Sequence, residues 1–287
     1  MILLLGQSSD SPLREVAAEL QRMGARYLFV NTDIQVLERW RPGSEAVLSV
    51  SGHSLPLEQV TSAYLRPFAL EANSDGEREA VGTLLAWADR SEARIVNRPL
   101  SSLPNNSKPL QAQLIARFGL RVPETLITTE PQMACDFARV YGDVVYKSIS
   151  GVRSIVRRLS GDRFSELEHV RHCPTQFQRY IPGTELRVHV IGRAVSALQI
   201  TSDCDDYRYA ARDGGVVAAT QVELDPSVAG SLRALVKGMD LLVAGIDLRR
   251  TPAGELYCLE VNPSPAFTYY EQLAGVSLAA GIAELLM

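Results

Sequence analysis

Residues 245–262, GIDLRRTPAGELYCLEVN, are the most informative segment of the sequence for predicting its fold. Apolar and polar residues alternate on both sides of a turn that contains proline and glycine, and this pattern predicts two antiparallel strands joined as a β-hairpin. A turn with an even number of residues would be centred between Ala253 and Gly254. Asp247 would then face Glu260 across the two strands.

Two carboxylates and one carboxamide would meet on one face of this hairpin. Directly opposed side chains have Cβ atoms roughly 4.5–5.5 Å apart, where like charges repel, so Asp247 and Glu260 need a cation between them. Asn262 joins their face by the period-two alternation of a strand. Three such oxygen ligands are too few to enclose calcium. They predict a Mg²⁺ ion whose coordination shell is completed by water and phosphate oxygens. The alternative is a solvent-exposed edge hairpin, in which a one-residue bulge separates the two carboxylates.

Candidate phosphate- and nucleotide-binding residues lie upstream of the hairpin. Lys147 ends a predicted strand and precedes the small-residue turn 148–151, whose backbone amides could approach phosphates. A single lysine after a strand is more often a surface residue. Glu185 and Arg187 project from one face of a strand shortly after residues 178–181. Combined with the predicted metal site, these features predict a magnesium–nucleotide site.

The composition excludes several classes of protein. The 287 residues are 46% hydrophobic and 22% charged, with a formal net charge of −4, as in a globular protein of more than one domain. This charge balance predicts neither a nucleic-acid partner nor a membrane partner and leaves a homodimer open. The apolar run 1–5 is too short for a signal peptide or a membrane span. Four dispersed cysteines without a CxxC pair indicate the reducing cytoplasm.

The chain begins as an α/β protein and continues as an α+β protein. Apolar strands are predicted at 2–5, 27–30, 63–65 and 94–96, with helical patterns between them. Such alternation favours a parallel sheet covered by helices. Beyond residue 144 the pattern changes to strand alternation with tight turns, which is typical of antiparallel sheets.

These features together resemble the ATP-grasp superfamily of carboxylate–amine ligases, in particular the ribosomal-protein glutamyl ligases and the microviridin-type (graspetide) peptide ligases. The resemblance covers most of the chain. Besides the hairpin, it is carried by 106–108 at the start of a helix, the strand that ends at Lys147, the stretch 178–192 and the sequence CLEVNPSP at 258–265.

The resemblance implies an ATP-grasp fold. An N-terminal α/β domain (1–103) would precede a central lobe (104–176) and a C-terminal lobe with the metal site (177–287). The two lobes would clamp ATP between them.

The resemblance also implies roles for individual residues. The residues that hold Mg²⁺ against the ATP phosphates would be Asp247, Glu260 and Asn262. The residues that contact the nucleotide, through phosphates, adenine or ribose, would be Lys108, Lys147, Gln178, Arg179, Tyr180, Ile181 and Glu185. The arginines near the phosphates or the acyl group would be Arg187, Arg208 and Arg249.

The implied activity is ATP- and Mg²⁺-dependent ligation. A carboxylate would be activated as an acyl phosphate with release of ADP and then joined to an amine or a hydroxyl. The favoured substrate is a precursor peptide. The alternatives are an amino-acid or glutamyl ligase and a nucleotide-binding regulator without turnover. Ala210 stands where glutamyl ligases tend to have asparagine, and the phosphate loop 148–153 has one glycine where many relatives have several. The candidate lids are 148–154 and 202–215.

Overall fold

The computed structural model describes residues 1–32, 39–40, 47–50, 53–67, 75–149, 156–159, 161–202 and 217–287. Arg208, Ala210 and nearly all of the two candidate lids lie outside this part of the chain. Within it, no helix is both long enough and apolar enough to cross a bilayer.

The N-terminal domain is built on a parallel sheet with the strand order β2-β1-β6-β7, as the βαβ pattern predicts. Its strands are β1 (Ile2–Gly6), β2 (Tyr27–Asn31), β6 (Ser62–Arg66) and β7 (Arg94–Val96). Its helices are α1 (Ser11–Arg22) and α2 (Asp75–Arg90). A small antiparallel sheet consists of β3 (Arg39–Trp40), β4 (Val47–Val50) and β5 (His53–Pro56). Both faces of β1 are buried, which explains its continuous run of apolar residues.

The central lobe contains a four-stranded antiparallel sheet with the order β10-β9-β11-β8. Its strands are β8 (Thr125–Thr128), β9 (Val144–Ser148), β10 (Arg157–Arg158) and β11 (Thr175–Arg179). Helix α5 (Pro131–Tyr141) and the 3₁₀ segment Gly161–His172 cover it. Lys147 is the fourth residue of β9 and lies opposite Gln176 of β11.

The C-terminal lobe contains a five-stranded antiparallel sheet with the order β14-β13-β12-β15-β16. Its strands are β12 (Thr184–Ile191), β13 (Ala194–Ser202), β14 (Val217–Val222), β15 (Val243–Arg250) and β16 (Leu256–Asn262). The remaining helices are α3 (Pro99–Ser102), α4 (Lys108–Arg117), α6 (Pro226–Gly238), α7 (Thr268–Ala274) and α8 (Leu278–Leu286).

The domain boundaries at 103/104 and 176/177 stay predictions, and several elements extend or pack across them. The second boundary falls inside β11, whose last residue is Arg179. Helix α4 follows the linker, yet its Ile115 packs in the core of the C-terminal lobe. Helix α8 ends the chain, yet its Ile282 packs with Leu13 of α1 in the N-terminal domain. An apolar stripe shows which helix face is buried but not which partner covers it.

Candidate functional site

The predicted pairing in the hairpin is present, but the turn differs from the expected one. Asp247 lies opposite Glu260, and Gly245 lies opposite Asn262. The turn has an odd number of residues, because Arg250 pairs with Leu256 at the other end of the hairpin. The register shifts by one residue between Asp247 and Leu248.

This shift is a β-bulge at Leu259, and it brings the two carboxylates together. Leu248 pairs with Cys258 and Asp247 with Glu260, so Leu259 is the extra residue. If the register of the strand pairs next to the turn continued along the hairpin, Asp247 would face Leu259. Glu260 would then point to the other side of the sheet. Instead, Leu259 and Glu260 both line the cleft, whereas Cys258 and Val261 are buried in the core.

Each of the three candidate metal ligands, Asp247, Glu260 and Asn262, already has a partner in the protein. Arg187 Nη1 lies 2.6 Å from Asp247 Oδ1, and Lys108 Nζ lies 3.4 Å from Glu260 Oε1. The Asn262 Oδ1 atom accepts a 2.9 Å hydrogen bond from the backbone N–H of Ser264. The Ser264 N–H orients Asn262, as surrounding groups orient the ligands of metal sites. Arg187 and Lys108 are cations, and a metal ion would compete with them for the two carboxylates.

The donor set fits Mg²⁺. The Asp247 and Glu260 side chains are 24% and 23% exposed, so each carboxylate is accessible from the cleft. Two carboxylates and one carboxamide supply hard oxygen ligands, and Mg²⁺ usually takes one or two carboxylates and completes its shell with water and phosphate. Among the described residues, no group of three or more His, Cys, Asp or Glu side chains could hold a metal ion, so the candidate site depends on the Asn262 carboxamide as its third ligand.

A cleft beside this set lies between the central and C-terminal lobes. Its lining residues are Val145, Lys147, Val156, Arg158, Gln178, Arg179, Tyr180, Ile181, Glu185, Asp247, Arg249, Leu259 and Glu260. Of the seven residues predicted to contact the nucleotide, all except Lys108 line this cleft. Arg249 also lines it, Arg187 does not, and Arg208 lies outside the described residues. Lys108 lines a smaller adjoining cavity together with Lys147, Gln178 and Glu260.

The segment 178–181 runs from the end of β11 toward β12, connects the two lobes and lines the cleft. Gln178 Nε2 donates a 3.1 Å hydrogen bond to Thr125 Oγ1. The guanidinium carbon of Arg158 lies 3.9 Å from the centroid of the Tyr180 ring, a cation–π contact across the cleft. Tyr180 and Ile181 give this part of the cleft an aromatic and an apolar surface, which is suited to a planar base.

Arg249 contacts the segment 178–181 and Glu185 rather than the candidate metal ligands. Its guanidinium hydrogen-bonds the Glu185 carboxylate, and its Nη1 donates to the Ile181 carbonyl at 3.2 Å. Arg249 alternates with Asp247 on one strand face, but its side chain extends toward Glu185 on β12, the residue directly opposite. The structure thus associates Arg249 with the predicted ribose-binding carboxylate.

Arg187 is the buried cation of the site. Its Nη1 bonds Asp247, and its Nε donates to His189 Nε2 at 3.5 Å. Burial and the neighbouring Arg187 charge hold the pKa of His189 well below its usual value, so the ring is neutral and can accept this bond. The Arg187 guanidinium carbon also lies 5.1 Å from the centroid of the Tyr270 ring.

Gly245 leaves the space that Arg187 occupies. A Cβ atom there would lie 2.2 Å from Arg187 Nη2 and 2.8 Å from Cβ of Pro265. We expect Gly245→Ala to displace the guanidinium and to lower the free energy of unfolding by about 1–3 kcal/mol. Turnover should fall at least about tenfold, since a tenfold rate loss needs only about 1.4 kcal/mol in the transition state. Chemical denaturation and steady-state rates of ADP release measure the two effects.

The control for this substitution is Gly230→Ala in α6, where an added Cβ meets nothing within 4 Å. A helical alanine should leave turnover unchanged and stability equal or higher. Equal turnover of Gly245→Ala and the wild type would contradict the role given to this glycine.

Three polar residues outside the predicted site support the strand that carries it. The Gln111 side chain of α4 bonds both backbone groups of Val261, donating to its carbonyl at 2.6 Å and accepting from its N–H at 3.0 Å. Asn97 and Arg66 bond the segment just after Asn262. Gln111 could have been noticed in the sequence as a polar residue inside the apolar stripe of α4. Arg66 and Asn97 are marked in the sequence only by their places at the ends of predicted strands.

The chain is similar to known proteins of one family. A sequence model described as a RimK-like ATP-grasp domain matches residues 105–286. A probable alpha-L-glutamate ligase 2 of Shewanella amazonensis is 29% identical over 199 residues, a region that is 66% of this chain and 65% of that protein.

Solved structures share the fold over nearly the whole chain. The ATP-grasp ligase PsnB, complexed with a phosphomimetic variant of its minimal precursor, Mg and ADP, superimposes with a TM-score of 0.81 at 23% identity and covers 99% of this chain and 97% of its own. The macrocyclase MdnC of Microcystis aeruginosa, bound with precursor peptide MdnA, superimposes with a TM-score of 0.82 at 20% identity. The match covers 100% of this chain and 99% of MdnC. The resemblance predicted from the sequence is confirmed, and the chain belongs to the RimK-like ATP-grasp family.

Proposed function

We propose that this protein is an ATP- and Mg²⁺-dependent ligase that activates a carboxylate as an acyl phosphate and joins it to an amine or a hydroxyl. The observation that carries the proposal is the Asp247–Glu260 pair, with Asn262 on the same strand face, in a cleft that Lys147 and Glu185 also line. Family membership and the Mg- and ADP-containing PsnB complex support it.

The proposed chemistry has two steps. A carboxylate oxygen attacks the γ-phosphorus of ATP, the bond from that phosphorus to the β,γ-bridging oxygen breaks, and ADP leaves. An amine or hydroxyl then attacks the acyl carbon and loses its proton, and the acyl–oxygen bond breaks to release inorganic phosphate. Catalysis of phosphoryl transfer is mostly positioning and charge stabilisation, so no side-chain nucleophile is required.

The residues of this chain supply that positioning. Segment 178–181 and Glu185, oriented by Arg249, would hold the adenosine end of the nucleotide. Lys147 and Lys108 would contact the phosphates. Asp247, Glu260 and Asn262 would hold Mg²⁺, which when bound offsets repulsion between the reacting anions.

The substrate that we propose is a side chain of a precursor peptide. The support is the fold shared with PsnB and MdnC, both of which were solved with precursor peptides. A second candidate is glutamate addition to a small molecule or a protein terminus, which the similarity to a probable alpha-L-glutamate ligase favours.

The cysteines support a reducing compartment. Cys135, Cys173 and Cys258 are free thiols, whereas Cys204 lies outside the described residues. We therefore propose the cytoplasm as the location.

A substrate screen tests the proposal. The purified protein is incubated with ATP, Mg²⁺ and either short peptides rich in threonine and acidic residues or free amino acids, and the release of ADP and phosphate is followed. We expect peptide-stimulated release, abolished by EDTA, with loss of one water per cross-link in the peptide mass. Stimulation by free amino acids alone would favour the glutamate-ligase candidate, and tight ATP binding without ADP release under any acceptor would contradict ligase activity.

A further inference from the structure

The segment that follows the candidate metal ligand Asn262 is held by the N-terminal domain. Asn97, at the carboxyl end of β7, donates through Nδ2 to the carbonyls of Val243 and Pro263, both at 2.6 Å. Its Oδ1 accepts from the N–H groups of Leu242 and Val243 at 2.8 and 3.2 Å. A single buried carboxamide thus joins the start of β15 to the residue directly after Asn262.

Arg66, at the carboxyl end of β6, holds the next two residues of the segment. Its Nη1 donates to Ser264 Oγ at 2.9 Å and to the Pro265 carbonyl at 3.2 Å. Its Nε and Nη2 donate to the two carboxylate oxygens of Asp10 at 2.6 and 3.2 Å. The Arg66 side chain is 1% exposed, so this guanidinium is almost completely removed from water.

The contacts lead to the metal ligand itself. Ser264, whose hydroxyl accepts from Arg66, donates its backbone N–H to Asn262 Oδ1 at 2.9 Å. The oxygen of Asn262 that would bind a metal ion is therefore oriented by a residue that the N-terminal domain holds in place.

A buried ion pair at this interface needs a reason beyond stability, because well-packed apolar side chains often stabilise an interface as well or better. The planar guanidinium fixes several acceptors in defined directions, which an apolar residue or a lysine cannot do. The acceptors here belong to the ligand-bearing segment and to the N-cap residue of α1, Asp10.

We propose that Arg66 and Asn97 are positioning residues for Asn262, so that the N-terminal domain sets the affinity of the site for its divalent cation. This inference rests on the proposed function, which makes Asn262 a metal ligand. Groups that orient metal ligands typically contribute about 10- to 100-fold to metal affinity.

The test is Mn²⁺ binding to the full-length protein in the presence of a non-hydrolysable ATP analogue, followed by electron paramagnetic resonance of free Mn²⁺. We expect Arg66→Met to weaken Mn²⁺ binding about 10- to 100-fold. Affinity for the analogue without metal should stay within about twofold of the wild type, since Arg66 lies outside the nucleotide cleft.

Arg94→Met is the matched control. Arg94 also crosses from the N-terminal domain to the C-terminal part of the chain, where its Nη1 donates to the Leu285 carbonyl at 2.6 Å, but it does not contact the ligand segment. It should change the melting temperature without changing Mn²⁺ affinity, which separates positioning from general loss of the interface.

Ser264→Ala keeps the Arg66–Asp10 pair and removes one acceptor of Arg66, so it decides the question if Arg66→Met does not fold. We expect it to weaken Mn²⁺ binding several-fold. Unchanged Mn²⁺ affinity in the folded variants would overturn the inference. Failure of the wild type to bind Mn²⁺ with the analogue would instead overturn the proposed function.

Discussion

Asp247→Asn should lower the rate of ADP release about 10²- to 10³-fold, the loss typical when one preorganised electrostatic contact to a transition state is removed. The substitution keeps the shape of the side chain but removes the charge that faces Glu260 and bonds Arg187. The metal would lose one of two anionic ligands, so Mg²⁺ affinity should fall together with turnover. Steady-state rates over a Mg²⁺ titration measure both.

Asp136→Asn is the control for this prediction. Asp136 is an aspartate of α5 whose side chain is 56% exposed, and its partners in the described part of the chain are the surface residues Arg139 and Gln132. It should retain wild-type rates. An Asp247→Asn protein with the same rate and the same Mg²⁺ dependence as the wild type would be incompatible with the proposed site.

Arg187→Met should also lower turnover about 10²-fold or more, but without weakening metal binding. Arg187 and a bound cation compete for the Asp247 carboxylate, because Arg187 Nη1 already lies 2.6 Å from Oδ1. Removing this cation should leave Mg²⁺ affinity unchanged or raise it, while the charge near the reacting anions is lost. Isothermal titration with a non-hydrolysable ATP analogue and Mg²⁺, run beside rate measurements, separates the two quantities.

Arg193→Met provides the comparison, since Arg193 is an exposed arginine in the turn that joins β12 to β13. Both its turnover and its Mg²⁺ affinity should match the wild type. Weaker Mg²⁺ binding in Arg187→Met would mean that Arg187 supports the metal site instead of competing with it.

The hairpin was predictable in outline because alternation and turn composition are local properties. The pairing of Asp247 with Glu260 follows from them only if the turn has an even number of residues, and the structure reaches the same pairing through an odd turn and a bulge at Leu259. A bulge is favoured by the packing on both faces, here Cys258 and Val261 in the core and Glu260 in the cleft. Period-two patterning alone does not contain that information.

Contacts between residues that are distant in the sequence could not be predicted from local sequence patterns. Arg66 and Ser264 are 198 positions apart, and Gln111 and Val261 are 150 apart. The resemblance implies a place for Arg249 near the phosphates or the acyl group, but the direction of a long side chain depends on the partner it meets, here Glu185. The resemblance to a family indicated which residues share a site, and the structure adds how they are held.

The central claim is that Asp247, Glu260 and Asn262 bind one divalent ion in contact with the nucleotide phosphates. The most direct measurement is an anomalous difference map from crystals grown with Mn²⁺ and a non-hydrolysable ATP analogue. We expect one strong peak within about 2.0–2.3 Å of oxygens from all three side chains and next to phosphate oxygens. A peak coordinated by other residues, or a nucleotide bound with its phosphates away from Asp247 and Glu260, would contradict the account.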